Sequence, residues 1–278
     1  MRVLVTGANG QLGHDVCVKL GNEAIGIDIA DLDITDGLAV SSFINDLRPD
    51  VIVHCAAYTA VDKAESEPEM CHAVNVLGTR HVTEAAKGID AKLLYISTDY
   101  VFDGLYDRPY EVFHSANPLS VYGRSKLEGE HEVSRLLDRY WIVRTAWLYG
   151  HSGGNFVKTM IRLGRDSGSV RVVADQFGSP TFSFDLAALL VEMIRSDRYG
   201  VFHATNSGFC SWFDFASEIF RIAGMDVSVT PIATSEYPTA AVRPRNSRLS
   251  SKSLLDAGFS VLPPWQDALA RFIGEYAG

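Results

Sequence analysis

The sequence predicts an α/β fold: a doubly wound parallel sheet with helices on both faces, and a smaller C-terminal unit beside it. Three observations carry this expectation. Apolar, β-branched runs alternate with amphipathic stretches through the first two thirds of the chain, as buried parallel strands alternate with crossover helices. A glycine-rich turn stands between the first such run and the first amphipathic stretch. From residue 206 onward the alternation is lost.

In order, Val3-Leu-Val5 opens the first strand, and Thr6-Gly-Ala-Asn-Gly-Gln-Leu-Gly13 follows it. Leu12, Val16 and Leu20 share one face of the first helix. A second apolar run then ends in Asp28. Val51–Ala57 reads as a third strand, and 69–87 as a long helix with Val74, Leu77, His81 and Ala85 on one side. Leu93–Ser97 is a strand, and a second long helix begins near Val121. Trp141–Ala146, a helix over Phe184–Arg195 and the strand Gly200–Ala204 complete the alternation. Beyond it a helix is expected over Trp212–Ala223, then a stretch rich in Pro, Thr, Ser and Arg over 230–250, and a short helix from Trp265 that Gly274 closes. Residues 1–150, with 184–205 returning to the sheet, form the expected first unit, and 151–183 with 206–278 the second.

The opening strand–turn–helix–strand unit has the chemistry of a dinucleotide site. Gly7 allows a sharp turn, Gly10 leaves the backbone bare for a pyrophosphate, and Gly13 lets helix and strand approach. The helix N-terminus offers free N–H groups to the phosphates. Asp28 stands where a carboxylate accepts from the adenosine ribose hydroxyls. It repels a ribose phosphate, and no Lys or Arg lies in 29–37 to receive one, so NADH is favoured over NADPH.

Composition narrows the classes. A net charge of −9 argues against general nucleic-acid or anionic-membrane binding. No run has the length of a membrane span, and Met1 leads directly into the first strand, so no signal peptide is expected and the cytoplasm is the expected location. Cys17, Cys55, Cys71 and Cys210 form no paired motif and read as reduced thiols. His54, His72, His81 and His114 lack ligand spacing, so no metal is expected.

Two clusters suit proton transfer. Tyr122 and Lys126 lie four apart on one helix face. A lysine charge beside a phenol favours the phenolate and pulls its pKa down from about 10. Such a pair is common on helix surfaces; its place after the Leu93–Ser97 strand, in a chain with a dinucleotide loop, gives it meaning. Ser97 and Thr98 follow that strand and offer hydroxyls to a substrate oxygen.

Together these motifs resemble the extended short-chain dehydrogenase/reductase superfamily, whose fold is Rossmann-type. Narrower strings are similar to the dTDP-4-dehydrorhamnose reductase family: Arg48-Pro-Asp-Val-Ile-Val53, Ala56-Ala-Tyr-Thr-Ala-Val-Asp-Lys-Ala-Glu-Ser-Glu-Pro68, Ser97-Thr-Asp-Tyr-Val-Phe102, Val121-Tyr-Gly-x-x-Lys126, Arg144-Thr-Ala-Trp147, Asp175-Gln-x-Gly-x-Pro-Thr181 and Arg243-Pro-x-Asn-Ser-x-Leu249. The resemblance implies reduction of the keto group of a dTDP-sugar by NADH or NADPH, in the last step of dTDP-L-rhamnose synthesis. It implies that Gly10, Gln11 and Leu12 lie under the pyrophosphate, that Asp28 holds the ribose, and that Asp33 and Ile34 flank the adenine. Ala57, Tyr58 and Thr59 would line the path to the nicotinamide. Tyr122 would donate the proton with Lys126 as partner, and Thr98 would polarise the ketone. Val61, Asp62, Asp99, Tyr100 and Trp147 would contact the sugar, with Trp147 as a flat apolar wall. Asn155, Arg243 and Arg245 would reach the nucleotide diphosphate. Some relatives dimerise, so a homodimer is compatible.

Three rivals remain at this point. Asp99 beside Thr98 keeps a same-fold epimerase or dehydratase open. A non-catalytic NAD(P)-binding regulatory subunit shares the fold. Gly150-His-Ser-Gly-Gly154 matches the nucleophile turn of a serine hydrolase, with Asp185 and His203 in the right order to complete a triad.

Overall fold

A computed structural model describes residues 1–277. Six strands form one parallel sheet: β1 (Val3–Thr6), β2 (Ala24–Ile27), β3 (Val51–His54), β4 (Lys92–Thr98), β5 (Tyr140–Thr145) and β6 (Gly200–His203). Their order is β6-β5-β4-β3-β1-β2. The chain runs outward from β1 to β2, then reverses and builds β3 to β6 on the other side. The crevice at such a reversal, at the carboxyl ends of β1 and β3, is where a ligand finds room. β1 and β3 are buried at every residue, which is why they read as unbroken apolar runs.

Helices cover both faces. On one, α1 (Gln11–Leu20) packs with Leu186, Leu190 and Met193 of a later helix over Val5, Val53 and Val143. On the other, α2 (Gly37–Leu47), a long helix α3 over 68–88 and α4 (Val121–Leu136) cover Leu4, Ile52, Leu93 and Tyr95. The anticipated third strand stops at His54, not Ala57. Its neighbour β1 ends in the Gly7 turn; the Cys55 N–H still reaches the Thr6 carbonyl at 3.2 Å, and beyond it the chain leaves the sheet although β4 runs on to Thr98.

The anticipated buried face of α3 is also displaced. Helix Pro68–His72 passes through a π-helical stretch, Ala73–Gly78, into Thr79–Gly88. The wider turn shifts the phase of everything after it, so Asn75, Val76, Thr79 and Val82 are buried while Leu77 is exposed. The buried Asn75 uses this geometry. Its amide oxygen accepts from the Tyr58 N–H at 2.8 Å, and its amide nitrogen donates to the Tyr58 carbonyl at 3.1 Å and to Ser125 on α4 at 2.9 Å.

A second core lies beside the sheet. The helices α5 (Phe156–Ser167), α7 (Trp212–Ile222) and α8 (Trp265–Ala277) bury Tyr149, Phe182, Phe215, Phe220 and Phe272 together. The intervening α6 (Ser183–Ile194) belongs to the first core. A short parallel pair, Ser169–Val173 with Ser228–Ile232, backs the second. Gly274 does not close the final helix. Burial of Phe272 and Ile273, with Tyr276 stacked on Phe272 at 5.7 Å, outweighs the modest cost of a helical glycine. The stretch beyond Ile232 is an ordered strap: Phe177 exchanges backbone bonds with Arg245 and Ser247, and Tyr110 with Arg248 and Ser250.

Under the sheet, Glu130 of α4 forms a buried two-point ion pair with Arg144 of β5 (2.7 and 2.8 Å) and accepts from Ser97 of β4 at 2.5 Å. This pair clamps α4 to the strands that carry the site. Glu130→Leu, which strands Arg144, is expected to cost about 3–5 kcal/mol in denaturant unfolding, and a second change of Arg144→Met to recover most of it.

Candidate active site

A cavity of about 950 Å³ opens along the carboxyl ends of β1 to β5. Its first wall is the glycine loop. Gly7 adopts φ +68°, and a side chain there would meet the Ala56 backbone at 2.7 Å. A side chain at Gly13 would overlap the Gly7 carbonyl. At Gly10 it would meet only that carbonyl, at 3.2 Å; the rest of the space is open. Gly10 caps α1 without a side chain, and the first i→i−4 bond is His14 to Gly10. The N–H groups of Gln11, Leu12 and Gly13 therefore precede the helix ladder and line the cavity. An uncapped helix start with a bare approach fits a pyrophosphate.

At one end the cavity is acidic. The Asp28 carboxylate accepts from the Asn9 N–H at 2.9 Å and the Ile29 N–H at 2.8 Å, which fixes its orientation beyond β2. Asp33 accepts from the Thr35 N–H and hydroxyl, and these bonds hold its carboxyl below the usual range. Ile34 lies beside it, buried. Lys126 and Arg243 are the basic residues of the lining, and neither belongs to this end. Ala57, Tyr58 and Thr59 line the middle of the cavity. The Tyr58 phenol donates away to Glu67 at 2.8 Å, so the residue is held by its backbone on Asn75.

At the other end Thr98, Tyr122 and Lys126 line one wall. Ser120 caps α4 through the Gly123 N–H at 3.0 Å, which places Tyr122 in the first turn. Burial dominates the titration here. It pushes the Tyr122 phenol well above its ordinary range, although a contact with the Thr98 hydroxyl acts the other way. The expected downward pull by Lys126 is therefore overridden: the amine is itself buried and pushed down to about 7, with Glu130 opposing. Its nitrogen lies 4.1 Å from the centre of the Tyr95 ring. Tyr122 is held neutral, in the state of an acid.

Thr98 and Ser97 separate by strand alternation. Ser97 turns under the sheet to Glu130. Thr98 donates to Asp99 at 2.9 Å and accepts from the Tyr100 N–H at 3.2 Å. Asp99 is buried and its carboxyl is pushed up to about 6; its Oδ2 has no partner among the described residues. Tyr100 packs edge-on against Tyr122 at 5.6 Å. Val61 and Trp147 complete this end. Trp147 adopts φ +50° and stacks at 3.6 Å on Trp212, so one face of the expected wall is already covered.

Three residues with expected contacts lie outside the lining. Asp62 pairs with Arg243 at 2.5 Å and accepts from the Ala241 N–H, tying the strap to the loop after β3. Asn155 caps α5 through Lys158 and donates to Gln11 at 3.0 Å and to the Gly150 carbonyl at 2.8 Å. Arg245 pairs with Asp175 at 3.2 Å on the surface. The hydrolase triad is satisfied in sequence order and not in space. Asp185 pairs with Arg271 at 2.7 and 2.8 Å and His203 bonds the Tyr110 carbonyl at 3.0 Å, so neither is bonded to the other or to Ser152.

Sequence reasoning missed Asn75, Trp212 and Thr145. Only Trp212 carried a local signal, as the first residue of a helix with the capping box Ser211–Asp214.

The model of the RmlD substrate binding domain matches residues 1–277. A dTDP-4-dehydrorhamnose reductase of Streptomyces griseus is 45% identical, covering 100% of this chain and 94% of that protein. The chain belongs to the dTDP-4-dehydrorhamnose reductase family. A crystal structure of such a reductase from Clostridium acetobutylicum superposes with a TM-score of 0.98 at 46% identity, over 100% of both chains. One from Bacillus anthracis, in complex with NADP, gives 0.96 at 46% identity over 99% of both. These reductases share the whole length of this chain, strap and second core included. Among its described residues no helix is long and apolar enough to cross a membrane.

The buried Lys126 makes a prediction for stability. Its folded pKa of about 7 lies below the ordinary lysine value of 10.5, so the unfolded chain holds that proton more tightly. The penalty stands in full below about pH 7 and fades as pH rises toward the unfolded value. Lys126→Met is expected to raise Tm near pH 6, by an amount that shrinks toward about pH 9.

Proposed function

We propose that this chain reduces the 4-keto group of dTDP-4-dehydro-β-L-rhamnose to give dTDP-L-rhamnose, with NADH or NADPH as reductant. The observation that carries this is the shared cavity: an uncapped helix start at one end, and a neutral buried phenol with a threonine hydroxyl at the other. Gln11 and Leu12 N–H groups hold the pyrophosphate, Asp28 the ribose hydroxyls, and Asp33 and Ile34 border the adenine. The reduced nicotinamide, when bound, supplies a hydride. Tyr122 holds its proton until charge develops on the ketone oxygen and then delivers it there. Thr98 turns its hydroxyl from Asp99 to the same oxygen. Bonds that tighten as that charge grows lower the barrier. Lys126, near neutrality in pKa, returns a proton to the phenolate. Val61, Asp99, Tyr100 and the open side of Trp147 bound the sugar. Arg243 faces the cavity, and Asp62 orients it.

We assign 1–150 with 184–205 to cofactor binding, and 151–183 with 206–278 to substrate binding. The second core supports this division, because it brings Trp212 to the cavity and the strap brings Arg243. The site is complete within one chain, whether or not two copies associate. We place the reaction in the cytoplasm, where the free thiols persist.

Asp28 and the absence of a basic residue at that end favour NADH. Rates at equal low concentration are expected to be higher with NADH; a clear preference for NADPH contradicts the role given to Asp28. Oxidation of NADH is followed with dTDP-4-dehydro-6-deoxy-L-mannose beside its UDP and GDP counterparts. Turnover with the dTDP-sugar and free release of the oxidised cofactor are expected. A chain that keeps NAD bound through a redox-neutral cycle is an epimerase, and one with no turnover is a binding subunit. Tyr122→Phe is expected to lower kcat by about 10²–10⁴-fold with NADH binding intact.

A further inference from the structure

Three buried polar atoms on the cavity wall lack a partner among the described residues: Asp99 Oδ2, Arg243 Nε and Thr145 Oγ1. The Asp99 and Arg243 side chains are held through their other polar atoms, Asp99 by Thr98 and Arg243 by Tyr100 and Asp62, and the Thr145 hydroxyl is held by no described residue. An unpaired buried hydroxyl is destabilising, so its presence calls for a partner that arrives with a ligand. Thr145 ends β5, is 7% exposed, and pairs in register with Thr98. One pleat earlier in the same register, Ile96 and Val143 pack against the α1 face of the sheet with Leu12 and Val16. By strand alternation Thr98 and Thr145 face that same side.

The strand order gives the direction in which a dinucleotide lies. The start of α1 stands over β1, and the Asp28 end lies beyond β2 at the sheet edge. The other half of the dinucleotide must then cross β3 toward β4 and β5. Thr145 stands at the end of that path, next to Thr98. Cys55, Ile96, Ala146 and Leu148 also line the cavity, and they are apolar. An apolar floor beside a hydroxyl that has no partner among the described residues matches a flat ring that carries one amide.

We propose that the Thr145 hydroxyl binds the carboxamide of the nicotinamide ring and fixes the rotation of that ring beside Thr98. This rests on the cofactor assignment above. The test is calorimetric binding of NADH, and of ADP-ribose, which lacks the nicotinamide, to wild type, Thr145→Val and Thr145→Ser. Thr145→Val keeps the shape and removes the hydroxyl; it is expected to weaken NADH about tenfold and leave ADP-ribose unchanged. Thr145→Ser is expected to restore NADH affinity. Unchanged NADH affinity in Thr145→Val overturns the proposal. So does an equal loss for both ligands. Wild type that binds neither NADH nor ADP-ribose instead overturns the cofactor assignment.

Discussion

The close approach of α1 to the loop after β1 is the constraint on which the rest depends. A single Cβ at position 13 would strike the Gly7 carbonyl, and one at position 7 would strike the Ala56 backbone. The helix therefore starts immediately above the carboxyl end of the sheet, with its first N–H groups free and turned into the crevice. The same packing sets where β3 ends and where Ala57–Thr59 run. It thus fixes both the start and the middle of the cavity.

At the Tyr122 end of the cavity burial outweighs charge. A lysine four residues from a tyrosine suggests an acidified phenol, but that holds only while the ammonium stays charged. Here both groups are dry, the amine is pushed to about 7, and the phenol keeps its proton. For a reductase this is the useful state, since the alkoxide needs a donor. The buried Glu130–Arg144 pair serves it twice: it clamps α4, and its carboxylate partly offsets the loss of charge on Lys126.

Much of this was legible in the sequence because the signals are local. Parallel strands covered on both faces read as apolar runs, and the Gly7–Gly10–Gly13 spacing states a turn, a bare approach and a close contact in eight residues, Thr6 to Gly13. Tyr122 and Lys126 are neighbours on a helix whatever it packs against. The remainder depends on contacts between residues distant in sequence. The π-helical stretch that turns Asn75 inward has no periodic signature. The Asp62–Arg243 pair and the Trp147–Trp212 stack join loops from opposite ends of the chain. That Asn155 caps α5 is not legible either, because a cap is recognisable only once the helix start is known. The strap over 230–250 is held by backbone bonds to Phe177 and Tyr110, which composition cannot express.

The most direct measurement is a crystal structure of the chain soaked with NADH. The pyrophosphate is expected on the N–H groups of Gln11 and Leu12, the adenosine toward Asp28, and the nicotinamide over the ends of β4 and β5 with Tyr122 facing it. A dinucleotide bound elsewhere, or a phenol turned away from the ring, contradicts this placement.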